Sequence, residues 1–127
     1  MQYANQMRDI FNPGTDITCI ATTAVAGKTF AAISGPRSQN MLSVATAAAG
    51  APTIGVVKYD AAADDMVGIA RGSARIVTVT ADGPITAGSP VEVGTGGKAK
   101  AADTGSIVGW AVDTAADGDD AMISLAH

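Results

Sequence analysis

Apolar positions along the chain fall in short runs rich in Val, Ile, Thr and Ala, and no stretch holds a helical stripe of large side chains. β-Branched residues lose rotamer freedom in a helix but pack well on a pleated sheet, so runs of this kind predict strands. The pattern places strands at Asp16 to Thr22, Thr29 to Ser34, Thr53 to Tyr59, Met66 to Ala70, Arg75 to Thr80, Pro90 to Val93, Ile107 to Asp113 and Ala121 to Leu125. Between them lie breakers: Gly27, Gly35-Pro36, Gly50 with Pro52, Asp82-Gly83-Pro84, Gly88-Ser89-Pro90, Gly94 to Gly97, and Gly118. Ser43 to Ala49 is the best helix candidate, because its alanines have helix propensity, and it reads as one helical turn or a loop. Short strands at regular spacing predict an all-β fold, a sandwich or a barrel.

The pattern repeats. Around Gly55 the chain reads IGVVKYDAAADDMVGIA, and around Gly109 it reads VGWAVDTAADGDDAMISLA. Ile54 then pairs with Val108, Val56 with Trp110, Ala61 with Ala115 and Asp65 with Asp119, and one extra residue in the second copy aligns Val67 with Met122. Upstream, the segment from Val25 matches the segment from Thr86, with Gly27 facing Gly88 and Phe30 facing Val91. The predicted organisation is an N-terminal arm over residues 1–13 and a single β-barrel domain over 14–127, built from two similar halves, about 14–80 and 81–127. Gly55 and Gly109, each inside a strand pattern, read as bulges or barrel corners where a side chain would clash.

Composition narrows the function. A chain of 127 residues has room for one core, and with 4% aromatics that core is made of small and branched side chains. Trp110 and Phe30, the largest apolar side chains in predicted strands, read as its anchors. The net charge of −4 disfavours nucleic acid as a partner. Met1 to Phe11 has no apolar run of signal-peptide length, and no later stretch approaches the ~20 apolar residues of a membrane helix, so the expected site of synthesis is the cytoplasm, with no membrane partner.

Catalytic and metal-binding patterns fail on their spacing. Gly27-Lys28-Thr29 ends like a phosphate-binding loop, but Thr22 stands where that motif needs its first Gly. Gly97-Lys98 has Glu92 in that place and Ala99 where a Ser or Thr should follow. Cys19, in an apolar run, reads as a core residue, and the single histidine is the last residue, His127, so a Cys-His or Ser-His pair has no internal base. The acidic group Asp113, Asp117, Asp119 and Asp120 lacks the calcium-loop spacing and reads as a solvated turn. The expectation is a non-enzymatic protein with no catalytic residues, no metal and no cofactor.

The first thirteen residues differ from the rest. Tyr3, Met7, Arg8, Ile10 and Phe11 sit among amides, a composition that suits an arm that orders on a partner or neighbouring subunit; a first edge strand is the competing reading. Pro36 and Arg37, in the loop between Ser34 and Leu42, are the candidate oligomer contact.

The order Asn12-Pro13-Gly14, Val25-Ala26-Gly27-Lys28, Ala48-Ala49-Gly50 and Ile54-Gly55-Val56 resembles capsid decoration, or cement, proteins of tailed bacteriophages. Ile85 to Val91, Val108-Gly109-Trp110-Ala111 and the Asp-rich ending are similar to the same family, so the resemblance covers nearly the whole chain from Phe11. It implies a β-barrel structural protein of the virion, on the capsid exterior. Such a protein binds the major capsid protein of the expanded head, as homotrimers; the arm residues Tyr3, Met7, Arg8, Ile10 and Phe11, singled out by composition, are the expected capsid contacts of this chain. A minor head, neck or tail adaptor of a phage is the alternative, and a small enzyme or ligand-binding barrel is the competing class.

Overall fold

A computed structural model of the chain describes residues 3–127. Among them are ten strands and one short 3-10 turn, so the fold is all-β. The first half holds β1 (Asp16–Ala21), β2 (Phe30–Ser38), β3 (Met41–Thr46), β4 (Gly55–Val57) and β5 (Met66–Ala70). The second holds β6 (Ile76–Thr80), β7 (Pro90–Val93), the 3-10 turn Thr95–Gly97, β8 (Ala99–Ala101), β9 (Gly109–Ala111) and β10 (Asp120–Leu125).

β1 to β5 close a barrel on their own, in the order β1-β3-β2-β4-β5. β6 to β10 form a separate sheet, β6-β10-β9-β7-β8, whose two ends meet at one parallel bridge, Ala81 with Ala99. Strand for strand this is the same topology. β1 runs parallel to β3 through Ile20–Ser43 and Ala21–Val44, and Ala81–Ala99 is the counterpart of the second pair. The duplication therefore makes two five-stranded units in tandem, where the sequence pattern joins two halves in one barrel. β6 pairs with β10, which moves the division from residue 80 to the β5–β6 connection.

Equivalent residues are 60 apart in the first strands and 54 apart in the last ones. Ile20 opposes Met66 as Thr80 opposes Asp120, and Ala31 opposes Gly55 as Val91 opposes Gly109. The bridges Val25–Ala61 and Ile85–Ala115 are counterparts too. Two pairings expected from the sequence shift by one residue. Gly88 matches Lys28, since both carry the positive φ of the same turn, and Phe30 matches Pro90. Val67 matches Ala121, because Asp64 and Gly118 both take positive φ in the preceding turn and no extra residue intervenes.

Gly55 and Gly109 are required by close strand approach. A Cβ on Gly55 would lie 2.5 Å from the Ala70 carbonyl oxygen, and one on Gly109 would lie 2.5 Å from that of Ser124, its counterpart.

Ser43 to Ala49 is the clearest departure from expectation. Met41–Thr46 is β3, an interior strand bonded to β1 on one side and β2 on the other. Val44 is fully buried there, so ladder pairing on both edges outweighs the helix propensity of the alanines.

Burial splits into two clusters. Ile17, Cys19, Ala31, Val44, Val57, Val67 and Ile69 fill the first barrel. Val79, Val91, Val93, Ala111, Ala121 and Ile123 fill the second unit, and Phe30, Ala47 and Val56 of the first half belong to that same cluster. Phe30 alternates with Ala31, so one side chain points out of the first barrel into the second core while its neighbour points inward.

The joint is polar as well. Thr80 N–H donates to Lys28 O at 2.9 Å, Gly50 N–H to Val93 O at 2.8 Å, and Lys28 Nζ pairs with Asp120 Oδ1 at 2.9 Å.

Candidate interaction surface

The chemistry-bearing side chains serve the fold. Cys19 is wholly buried among apolar neighbours, and that burial pushes its thiol pKa up, with a smaller opposing pull from Arg71. Asp60 Oδ1 accepts from Gly27 N–H, and in the acidic ending Asp117 Oδ1 accepts from Gly83 N–H, both at 2.8 Å. Those aspartates fasten loops across the sheet. Lys28, the lysine of the first Gly-Lys-Thr, is the one that pairs with Asp120 across the joint.

Glu92 is a site that sequence reasoning missed. It is buried on β7 between Val91 and Val93 and accepts from two backbone N–H groups, Asp103 at 3.0 Å and Gly105 at 2.6 Å. The carboxylate thus clamps the loop that returns from β8. A carboxylate in an apolar strand is the only hint the sequence carries.

Several large apolar side chains reach the surface. Over the described part of the arm, residues 3–15 form no strand, so the edge-strand reading does not hold there. Tyr3, Met7, Arg8, Ile10 and Phe11 are all exposed, Met7 at 79%. Within the arm Asn12 Nδ2 donates to Asp9 Oδ2 at 3.4 Å. At its root Thr15 O accepts from Arg71 N–H at 2.9 Å and from Arg75 Nη1 at 2.7 Å. Asp16 pairs with Lys58 and Arg75, and those two hydrogen bonds, Lys58 first, hold its carboxyl below the usual range.

Two grooves open near the arm's root. One is lined by Ala32, Ile33, Pro52, Ile54, Arg71 and His127. The other is lined by Ala74, Ile107, Trp110, Ser124, Leu125 and, again, His127. The C-terminal residue thus sits between them, and Gly72 N–H, two residues before Ala74, donates to its carbonyl at 2.9 Å.

Trp110 is the largest correction to the sequence reading. It is 46% exposed and not a core anchor, because Gly109 and Ala111 on either side face inward and turn it out. Along the outer face of the second unit, ladder pairing sets Pro90, Trp110, Ser124 and Ile76 in one row. Ile76, Met122 and Val112 are exposed beside it. The signal for this face was present in the sequence as the small residues flanking Trp110. Phe30, by contrast, is buried as expected.

Pro36 and Arg37 are exposed in the long β2–β3 hairpin, where the register slips at Gly35 and Ser43 Oγ donates to Pro36 O at 2.8 Å. The hydrogen bonds of arm and hairpin do not join the two candidate regions.

These features define a class: an all-β protein of two tandem five-stranded units with apolar side chains exposed on its surface. No protein-family model matches the chain, and no curated protein matches it. Among solved structures, it is similar to the N base of the head fiber gp8.5 of bacteriophage phi29. The TM-score is 0.74 at 20% identity, over 87% of this chain and 92% of that one. The likeness spans both units and is one of fold.

Proposed function

We propose that this protein is a non-enzymatic structural component of a bacteriophage head. On this reading it decorates the outer surface of the expanded capsid and stabilises contacts between major capsid protein subunits. The observation that carries the reading is the tandem-unit fold shared with a head-fiber base over nearly the full length of both chains. The exposed arm and the exposed apolar face support it, since both suit binding to a protein surface.

The physics of such a role needs only differential binding. A protein that binds the expanded shell better than its precursor stabilises the expanded state, and many weak symmetric contacts sum through avidity. Tyr3, Met7, Arg8, Ile10 and Phe11 are the proposed capsid contacts. The partners are the major capsid protein and further copies of this chain, in a trimer, on the virion exterior. Its net charge of −4 would limit adhesion to nucleic acid released at lysis.

A second reading is favoured by the neighbour itself: the base of a fiber anchored on the head. Mass spectrometry of purified virions separates the two by copy number, with hundreds for decoration and far fewer for a fiber base or an adaptor ring. The direct test is binding. Purified protein added to expanded heads that lack it should bind them and raise their resistance to heat and chelator, and failure to bind would overturn the reading.

A further inference from the structure

β6 has an edge along which no strand of the chain is paired. It bonds to β10 on one side and ends the sheet on the other, where the parallel bridge of Ala81 with Ala99 lies beyond its last residue. In an antiparallel strand a residue directs its N–H and C=O to one side, and its neighbours direct theirs to the other. Thr80 N–H donates to Lys28 O, away from β10, so Ile76 and Thr78 direct their backbone groups to that same open side. Among the described residues, no backbone group bonds to either of them there.

The edge is bare in sequence as well. Ile76–Thr80 reads IVTVT, β-branched throughout, uncharged and without proline, which is the composition of a template for strand pairing. β8, at the far end of the same sheet, has Lys100 at its centre, and a charge on an edge guards it against pairing. In the first barrel Asp16 stands at the place of Ile76. Ile76 itself is 58% exposed.

Beside the β6 edge runs a groove of about 380 Å³, between β6 and β4. Val56, Ala70 and Val77 line it with apolar surface, and Lys28, Lys58 and Arg75 bring three cations to it. Two carboxylates answer them, Asp120 on Lys28 and Asp16 on Lys58 and Arg75. A positive excess therefore sits in this groove, on a chain whose net charge is −4 and which has eight Lys and Arg residues in all. The Thr80–Lys28 bond closes one end, and the stretch from Ile76 to Thr78 leaves room along the edge for ~10 Å of extended chain.

We propose that the β6 edge takes an extended, acidic segment of a partner protein as an added strand. The backbone of the segment bonds to Ile76 and Thr78, its apolar side chains fill the groove, and its carboxylates meet Lys28, Lys58 and Arg75. In this mode of recognition main-chain bonds supply affinity and the groove selects the side chains. Nucleic acid would satisfy the cations and leave the edge unpaired. The site does not include the arm, and its test is independent of attachment to a capsid.

The probe is a hexapeptide of alternating glutamate and valine, titrated into the isotope-labelled chain and followed by amide NMR. It should shift the Ile76 and Thr78 signals and slow the exchange of those two amides with solvent. Two control peptides, one with lysine for glutamate and one N-methylated at alternate residues, should bind about tenfold or more weakly. Lys58→Gln should weaken binding of the glutamate peptide, by more at low salt than at high salt. Ile76→Asp, which copies the guard at Asp16, should abolish binding while circular dichroism and the unfolding midpoint stay at wild-type values. Thr78→Pro removes an N–H that no ladder bond uses and serves as the second variant, with the same loss expected.

A glutamate peptide that shifts other amides, or none, would overturn the proposal. So would equal binding of either control peptide, or binding that survives Ile76→Asp and Thr78→Pro. An oligothymidine that shifts the same amides as strongly would assign the groove to nucleic acid instead. Capsid binding, measured separately on expanded heads, fails or succeeds without bearing on these outcomes.

Discussion

Val56 and Trp110 occupy the same position in the two units, and one is buried at 3% exposure while the other is 46% exposed. Each pairs with the counterpart of the other's neighbours, Phe30 and Ala70 for Val56, Pro90 and Ser124 for Trp110. The difference is that the second unit lies on the first, while the outer face of the second has no unit on it. Asymmetric use of a symmetric fold thus gives the chain its exposed face.

Phe30→Ala tests the joint between the units. The side chain is fully buried in the second unit's core, so its loss should cost about 3–5 kcal/mol and leave a cavity. Denaturant unfolding should show a lower midpoint, and hydrogen exchange should show the loss of protection concentrated where the units meet. A change below about 1 kcal/mol would contradict the packing described.

Glu92→Ala should free the loop after β8. The carboxylate is the acceptor for Asp103 and Gly105 N–H, and leaving such groups without a partner costs about 1–3 kcal/mol. Amide exchange at those two positions should quicken in the variant by more than exchange at Ile69, which lies in the other core.

Cys19 should be inert in the native protein. It has no exposed surface, and burial raises its thiol pKa, so little thiolate is present near neutral pH. A thiol-reactive dye should label it at the rate of unfolding and rapidly in denaturant. Fast labelling of the folded chain would show that the barrel is open.

Asp16 gives a pH dependence of known sign. Its native pKa lies below its ordinary value near 4, about the value it has in the unfolded chain, so its contribution to stability is present above that pH and is lost as pH falls through the native pKa. Asp16→Asn should lower the wild-type Tm at pH 7, and the two curves should converge toward pH 2. The pairs with Lys58 and Arg75 are exposed on the Asp16 side, so added salt should narrow the difference at pH 7 as well.

Most of the strands were legible because β-branched runs end at Gly, Pro and Asp, as at Met66–Ala70 and Pro90–Val93. β3 was hidden by Ala45 and the alanines that follow the strand, and β8, three residues long with Lys100 between two alanines, carries almost no pattern. The repeat was legible in the Ala-Asp turns, whereas its register depended on backbone φ, which no residue type fixes when Lys28 can stand where Gly88 stands. The apolar face was missed because size alone made Trp110 look like core, and because Val77 and Val79 alternate with another apolar residue, Ile76. Strand parity decides such cases, and parity here follows from Gly109 and Ala111.

Cryo-EM of expanded heads, reconstructed with and without added protein, tests the proposed function most directly. The account predicts added density on the outer surface at symmetry-related positions, fitted by the two tandem units with residues 3–13 running onto the shell. Density confined to the neck or tail, or none on the head at all, would contradict it.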